Sequence, residues 1–282
     1  MEFIQFYPLG WNDKRLPVWM ADLSLIDFVP LIDSQGNEFL LDKLRQWGFR
    51  DGAEGNLYAR DRAAVAIAEA DQNGGAFLHF ESLPASVWED KRFLRALVIH
   101  PARLKGVKGP VRVEPLQHYF CGGIVIDENC HTSISGLYAC GEVTGGADGA
   151  NRIGGNALAN IVTFGLRAGQ NAAIETPQTG VFSIQDTPAP TFPNKGAPPQ
   201  TLRQELQNMM WKCLGPIRNE LGLNEALMFL DEFENRPYCV SSSADLLAAL
   251  EMPGLISTAR ACAQAALVRK QSLGVHYRED SV

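Results

Sequence analysis

Between Gln117 and Asn171 the chain reads QHYFCGGIVIDENCHTSISGLYACGEVTGGADGANRIGGNALANIVTFGLRAGQN, its densest run of residues able to do chemistry. His118, beside the Gly122-Gly123 pair, can donate hydrogen bonds to a carboxylate. Gly141 allows a close backbone approach to a ligand, and Glu142 can accept hydrogen bonds from ribose or ribityl hydroxyls. Arg152 offers a bidentate fork to a carboxylate. The helix expected to start at Asn156, Ala157 and Leu158 presents free N–H groups and partial positive charge. That end suits a phosphate, or the flavin edge that becomes negative on reduction.

Such side chains need a sheet and a helix behind them. Gly136 to Gly141 reads as a short buried strand ending in a Gly-Glu turn, and ligands of open α/β sheets bind at the carboxyl ends of strands. A dinucleotide site normally also uses a strand–GxGxxG–helix unit for the pyrophosphate. No GxGxxG occurs in the 282 residues, so the stretch reads as half of a flavin site.

Elsewhere the pattern predicts an N-terminal strand over Met1 to Leu9, with Glu2, Gln5 and Tyr7 alternating with apolar residues and Pro8 ending it. Residues 11 to 55 read as loops and short strands, with Phe39-Leu40-Leu41 among the latter. A helix is expected from Asp61, with Arg60 just before it, a position that opposes the helix dipole. His79 and His100 sit among apolar residues in the sequence and read as structural. Ala76 to Phe80 reads as a strand and the region around Trp88 to Leu97 as helical. Prolines crowd residues 176 to 200, which reads as a linker. Beyond it Thr201 and Gln204 form a capping box. Helices are expected to follow to Gly215, over Asn224 to Phe233, and from Ser243 to about Lys270 with a break at Pro253-Gly254. Lys270 to Asp280 reads as a solvated polar tail.

The formal net charge of -7 argues against nucleic acid or an anionic membrane as the main partner. Six cysteines without CxxC or zinc spacing suit reduced thiols, and no metal site is expected. No uninterrupted apolar run approaches the ~20 residues that span a bilayer, and the N-terminus lacks a signal-peptide pattern. A cytoplasmic protein is expected.

HYFCGGI, GLYACGEVTGGADGANRIGGNALA and LGVHYRED resemble the flavoprotein subunits of fumarate reductase and succinate dehydrogenase, and the related L-aspartate oxidases. MEFIQFYPLG resembles the segment where that family leaves its FAD-binding domain, and YARDRAAVAI the helix start that carries its catalytic arginine. The resemblance implies a mixed α+β and α/β fold: a capping domain, a partial Rossmann-like FAD-binding segment and a C-terminal helical bundle. It divides the chain into 1–10 (end of an FAD-domain segment), 11–114 (capping domain), 115–175 (returning FAD-binding segment), 176–200 (linker) and 201–282 (helical domain).

The cofactor implied is FAD. Arg60 falls on the proton-shuttling arginine, and His118 and Arg152 on the carboxylate-binding pair. Glu142, Ala157 and Leu158 fall on FAD contacts, to which Gly141 and Asn156 are added from the reading above. Tyr7 stands where the family usually carries a histidine. Asp22 stands near the family's glutamate, and that loop's arginine is absent. The implied function is hydride exchange between flavin and a small mono- or dicarboxylate. The implied partners are a chain carrying the N-terminal FAD-binding half and an iron–sulfur electron-transfer subunit, through which the protein would associate with a membrane. Two other readings are an L-aspartate-oxidase-like enzyme and a non-catalytic module that binds no flavin alone.

Overall fold

The computed structural model describes residues 1–175, 192 and 195–282. The five strands are β1 (Ile4–Trp11), β2 (Met20–Ala21), β3 (Leu31–Asp33), β4 (Ala76–Leu78) and β5 (Val111–Phe120), in the order β2-β1-β5-β4-β3 with every pair antiparallel. The helices are α1 (Leu40–Gln46), α2 (Gly52–Tyr58), α3 (Arg60–Gln72), α4 (Ala85–Glu89), α5 (Lys91–Leu97), α6 (Asn156–Ile174), α7 (Pro199–Leu214), α8 (Glu220–Phe233) and α9 (Ser243–Val268).

β1 and β5 form the spine. All eight residues of β1 are buried, so the strand is covered on both faces rather than amphipathic as its sequence suggests. Pro8 does not end the strand. It lies inside a register shift between Tyr7 and Gly10, where a missing N–H costs no ladder bond. On one side β1 joins a core with Leu23, Leu25, Leu31, Leu44, Ile67 and Phe93. Its other end, Ile4 and Phe6, packs with Ala64 of α3 and with Leu214, Leu223, Ala226 and Ala263 of the helical region.

Several expectations are corrected. Leu40 and Leu41 begin a helix, and Asp51 caps another by accepting from Glu54 N–H, so residues 11–55 hold more helix than expected. His79 and His100 are exposed rather than set among apolar side chains, and His100 has a structural role, accepting from Ala102 N–H at 3.3 Å. Gly136 to Gly141 forms no strand: His131 and Tyr138 make one isolated bridge, and Leu137 stays open to solvent. A strand needs neighbours for its backbone groups, and among the described residues this segment has no adjacent ladder. The linker expectation lies largely outside the described residues, but its end is displaced: α7 starts at Pro199, and no side chain caps it at Thr201. Proline at the first helical position needs no N–H partner.

α9 runs unbroken through Pro253. Proline leaves the carbonyl four residues earlier unpaired; the Tyr238 hydroxyl donates to that carbonyl, Ala249 O, at 3.5 Å. The 26-residue helix is therefore long and apolar enough to cross a membrane by length and composition, which the split reading missed. Here Ala248, Met252, Ile256, Cys262 and Ala266 bury one side of it, and it packs against α7 and α8. The expected solvated tail is also overturned. His276 and Arg278 are buried, and the backbone around Gly274 docks on Ala150.

Candidate active site

Arg60 opens α3 directly after α2, the two helices sharing Ala59 as their junction. α2 reaches this place because Gly52 and Gly55 carry no side chain. A Cβ on Gly52 would stand 2.6 Å from Leu23 O, and one on Gly55 2.8 Å from Leu44. The close approach sets Asn56 beside Asp22. Asn56 Nδ2 donates to Asp22 Oδ2 at 2.7 Å, and Asn56 Oδ1 accepts from Arg60 Nε at 3.1 Å and from the Tyr7 hydroxyl at 2.9 Å. The Arg60 guanidinium lies over the Tyr7 ring, 5.0 Å from its centroid. Burial, then the Asp22 carboxylate, pushes the Tyr7 phenol up to about 12. Burial and the Arg152 charge lower the Arg60 pKa, against the pull of Tyr7 and Asp22.

The opposite wall comes from β5 and the loop before α6. Arg152 Nη2 lies 3.2 Å from His118 Nε2, and its guanidinium covers the Tyr119 ring at 4.1 Å. His118 meets Tyr7 edge-on, with centroids 5.2 Å apart. Burial, then the charges of Arg152 and Arg60, lowers the His118 pKa to about 4. The ring is therefore neutral near pH 7. Since arginine only donates, Nε2 is its acceptor and Nδ1 carries the proton. His118 Nδ1 and Arg152 Nε are buried without a hydrogen-bond partner. The Gln5 backbone is the protein hydrogen-bonding group that acts on the His118 ring, and it partly offsets the lowering.

Arg60 and Arg152 line one cavity of about 140 Å³ with Leu57, Tyr58, Asn151 and Ile153. Gly154 makes their proximity possible, because a Cβ there would stand 2.7 Å from Arg60 Nη2. The structure thus brings together Tyr7, Arg60, His118 and Arg152, with Asp22 behind them. It also shows residues that the sequence reading passed over. Asn56 joins three of the site's groups. Gln5 donates to Asn151 Oδ1 and to Arg152 O, both at 2.8 Å, and so holds the Arg152 loop on β1. Asp148 accepts from the Tyr119 hydroxyl at 2.8 Å and from Asn156 and Asn160 at 3.2 Å. A glutamine amid Phe3, Ile4 and Phe6 was the only visible signal, and strand alternation explained it away.

Gly141, Glu142, Asn156, Ala157 and Leu158 come together where the 3-10 turn over Gly141–Val143 packs against α6, the helix that follows Gly154 and the Arg152 loop. Gly141 holds φ +79 and opens a short 3-10 turn over Gly141–Val143. Glu142 accepts from Phe120 N–H at 2.9 Å and so fastens this turn to β5. Gly155 sits at φ +86 before α6 and no side chain caps the helix, leaving first-turn N–H groups open. Leu158, Ile161, Val162 and Leu166 leave an apolar helix face exposed. Uncapped donors beside apolar surface and glycine backbone fit a flat, partly anionic ring system such as a flavin.

Comparison with known proteins shows the family to which the chain belongs. Residues 1–158 match the family described as FAD binding domain, and residues 203–282 the fumarate reductase flavoprotein C-terminal family. The fumarate reductase flavoprotein subunit of Escherichia coli is 28% identical over 323 residues, covering 99% of this chain and 52% of that protein. The L-aspartate oxidase of Mycobacterium leprae is 31% identical over 293 residues, covering 98% of this chain and 50% of that protein. Sdh1 of Mycobacterium smegmatis, solved in complex with UQ1, superposes with a TM-score of 0.77 at 30% identity, covering 99% of this chain and 50% of that one. The chain spans about half the length of the curated relatives it matches.

Proposed function

We propose that this chain, which belongs to the FAD-binding flavoprotein family of fumarate reductases, succinate dehydrogenases and L-aspartate oxidases, forms the substrate-holding wall of an oxidoreductase acting on a small carboxylate. The observation that carries the reading is the meeting of Arg60 and Arg152, from distant parts of the sequence, at one cavity, with His118 in contact with Arg152 behind it. FAD, the family's cofactor, supplies the hydride acceptor or donor when bound.

Gly141, Glu142 and the first turn of α6 (Asn156, Ala157, Leu158) would hold it, the helix end favouring the negative edge of the ring. Arg152 and His118 would bind a substrate carboxylate, the arginine through its charge and the neutral imidazole through Nδ1–H. Arg60 would hold or deliver the proton at the substrate carbon, its Nη groups being free of protein partners in the described contacts. Fixing both ends of the substrate against preplaced donors lowers the cost of orientation during the reaction. A partner carrying a GxGxxG unit would complete the nucleotide site, and an iron–sulfur protein would exchange electrons with the flavin.

Tyr7 stands on the substrate side as a neutral phenol, which can hydrogen-bond but, unlike a histidine, cannot carry a positive charge for a second carboxylate. Asp22 adds a negative charge behind it. These features favour a substrate with one strongly bound carboxylate, which includes an amino acid as well as a dicarboxylate.

The experiment is flavin reconstitution followed by turnover. FAD is added to the chain with and without a candidate partner, and bound-flavin absorbance is recorded. Arg60→Ala should abolish turnover with fumarate or L-aspartate and leave that absorbance unchanged. Failure of any preparation to take up FAD, or full activity of Arg60→Ala, overturns the reading.

A further inference from the structure

We propose that Asn56 is the positioning residue of this site, its single amide locking Arg60 to Tyr7 while leaving the outer guanidinium nitrogens free for substrate. This rests on the reading of Arg60 as the group that holds or delivers the proton. Each polar atom of Asn56 has a defined role. Oδ1 accepts two hydrogen bonds, from Arg60 Nε at 3.1 Å and the Tyr7 hydroxyl at 2.9 Å, and Nδ2 donates to Asp22 Oδ2 at 2.7 Å. The amide cannot be flipped, since that would set its NH2 against the Arg60 Nε–H and its oxygen against the Asp22 carboxylate. Asp22 is fixed in turn: its Oδ1 accepts from Ser24 N–H at 2.9 Å and from the Ser24 hydroxyl at 2.6 Å.

The chemistry requires an amide here rather than an acid or an alkyl group. A carboxylate at position 56 would accept the same two donors, but it would abut the Asp22 carboxylate and pair the Arg60 charge. An alkyl group would leave Arg60 Nε without its acceptor, and the Tyr7 hydroxyl with Asp22 Oδ2 alone at 3.3 Å. The neutral amide fixes the guanidinium plane through Nε alone. Nη1 and Nη2 are then turned toward the cavity, where Nη2 lies so near Gly154 that a Cβ would stand 2.7 Å from it. Arg60 is held in place without being neutralised.

The test uses the full chain and malonate as the carboxylate probe. In ¹H–¹⁵N spectra the Arg60 Nε–H signal, identified by its absence in Arg60→Lys, should exchange slowly with water. Asn56→Ala should speed that exchange about tenfold or more, as loss of a buried hydrogen bond predicts, and leave the other arginine signals unchanged. Asn56→Asp keeps both acceptor contacts, so it should preserve the protection and weaken malonate binding about tenfold through the added negative charge. In the FAD-loaded assembly Asn56→Ala should lower kcat about tenfold or more with KM within about twofold, because orientation and not ground-state binding is lost.

Unchanged Arg60 exchange in Asn56→Ala overturns the proposal, and so does unchanged malonate affinity in Asn56→Asp. Should Asn56→Ala fail to fold, Asn56→Asp alone decides. Full activity of Arg60→Ala would sink the functional reading instead, and the exchange measurement would still decide what Asn56 does.

Discussion

Two arginine–histidine pairs lie in this molecule, and they have been put to opposite uses. Arg218 Nη1 stands 2.9 Å from His276 Nδ1, and Arg152 Nη2 stands 3.2 Å from His118 Nε2. Burial is the first cause in both cases, and both histidines have their pKa lowered to about 4. The difference lies in what else each pair touches. Arg218 also donates to Glu2 O at 2.6 Å and Gly215 O at 3.0 Å, and His276 Nε2 bonds Arg269 O at 3.0 Å. Those bonds tie the residues just before β1, the loop before α8 and the C-terminal residues into one knot. Arg218 Nη2 alone is left without a partner there, whereas the Arg152–His118 pair leaves one atom unpaired on each residue, and its Arg152 lines a cavity. A nearly saturated pair is a fastener, and an unsaturated one of the same composition is a receptor.

The largest effect that would break this distinction is on stability. Arg218→Met should cost about 3–5 kcal/mol, because three buried acceptors lose their donor at once. Arg152→Met should cost about 1 kcal/mol, since its protein contacts are few, yet it should remove malonate binding. Urea unfolding of both variants checks the contrast, and equal losses would mean that Arg152 is structural too.

Next is the strap between the pairs. Gly274 holds φ +54, and Val275 N–H donates to Ala150 O at 3.0 Å, two residues before Arg152. A Cβ on Gly274 would stand 2.2 Å from Ala150 O. Gly274→Ala should therefore destabilise by about 1–3 kcal/mol and also weaken malonate binding by shifting the Arg152 loop. Calorimetric titration alongside thermal melting measures both, and unaltered affinity in a destabilised variant would uncouple the strap from the site.

The pH dependence separates the pairs further. A histidine whose folded pKa lies below its unfolded value gives its full stability above about pH 6.5 and loses it as pH falls toward 4. For His276 the shift from 6.5 to about 4 corresponds to an effect on the order of 3 kcal/mol. His276→Asn should flatten the fall in melting temperature between pH 6.5 and 4. The smallest effect belongs to His118. A carboxylate bound beside it would raise its pKa from about 4 toward the ordinary 6.5, so malonate binding should take up part of a proton between those pH values. Calorimetry in buffers of different ionisation enthalpy would show this, and binding without proton uptake would place the carboxylate elsewhere.

Much of the candidate site was legible in the sequence because glycine clusters and isolated polar residues are local signals. Gly141, Gly154 and Gly155 announce close backbone approach, and Arg60 at a helix start stands out by opposing the dipole. Asn56 carried no such signal. It is an ordinary helical residue until Gly52 and Gly55 allow α2 to press on Leu23, which sets Asn56 beside Asp22. The helices of residues 40–58 were hidden for a similar reason: short elements with glycine inside them have weak periodicity and form through packing. Pro253 misled in the opposite direction. Its disruption is local, and a hydroxyl from Tyr238 compensates for it in three dimensions.

The sequence by itself determined which chemical groups this protein has and the family whose motifs arrange them, since covalent spacing sets those relations. Only the tertiary structure decided which arginine–histidine pair would be closed and which left open. Saturation of a hydrogen-bonding group depends on atoms hundreds of residues away, as Glu2 and Arg218 show, and no local pattern records that distance.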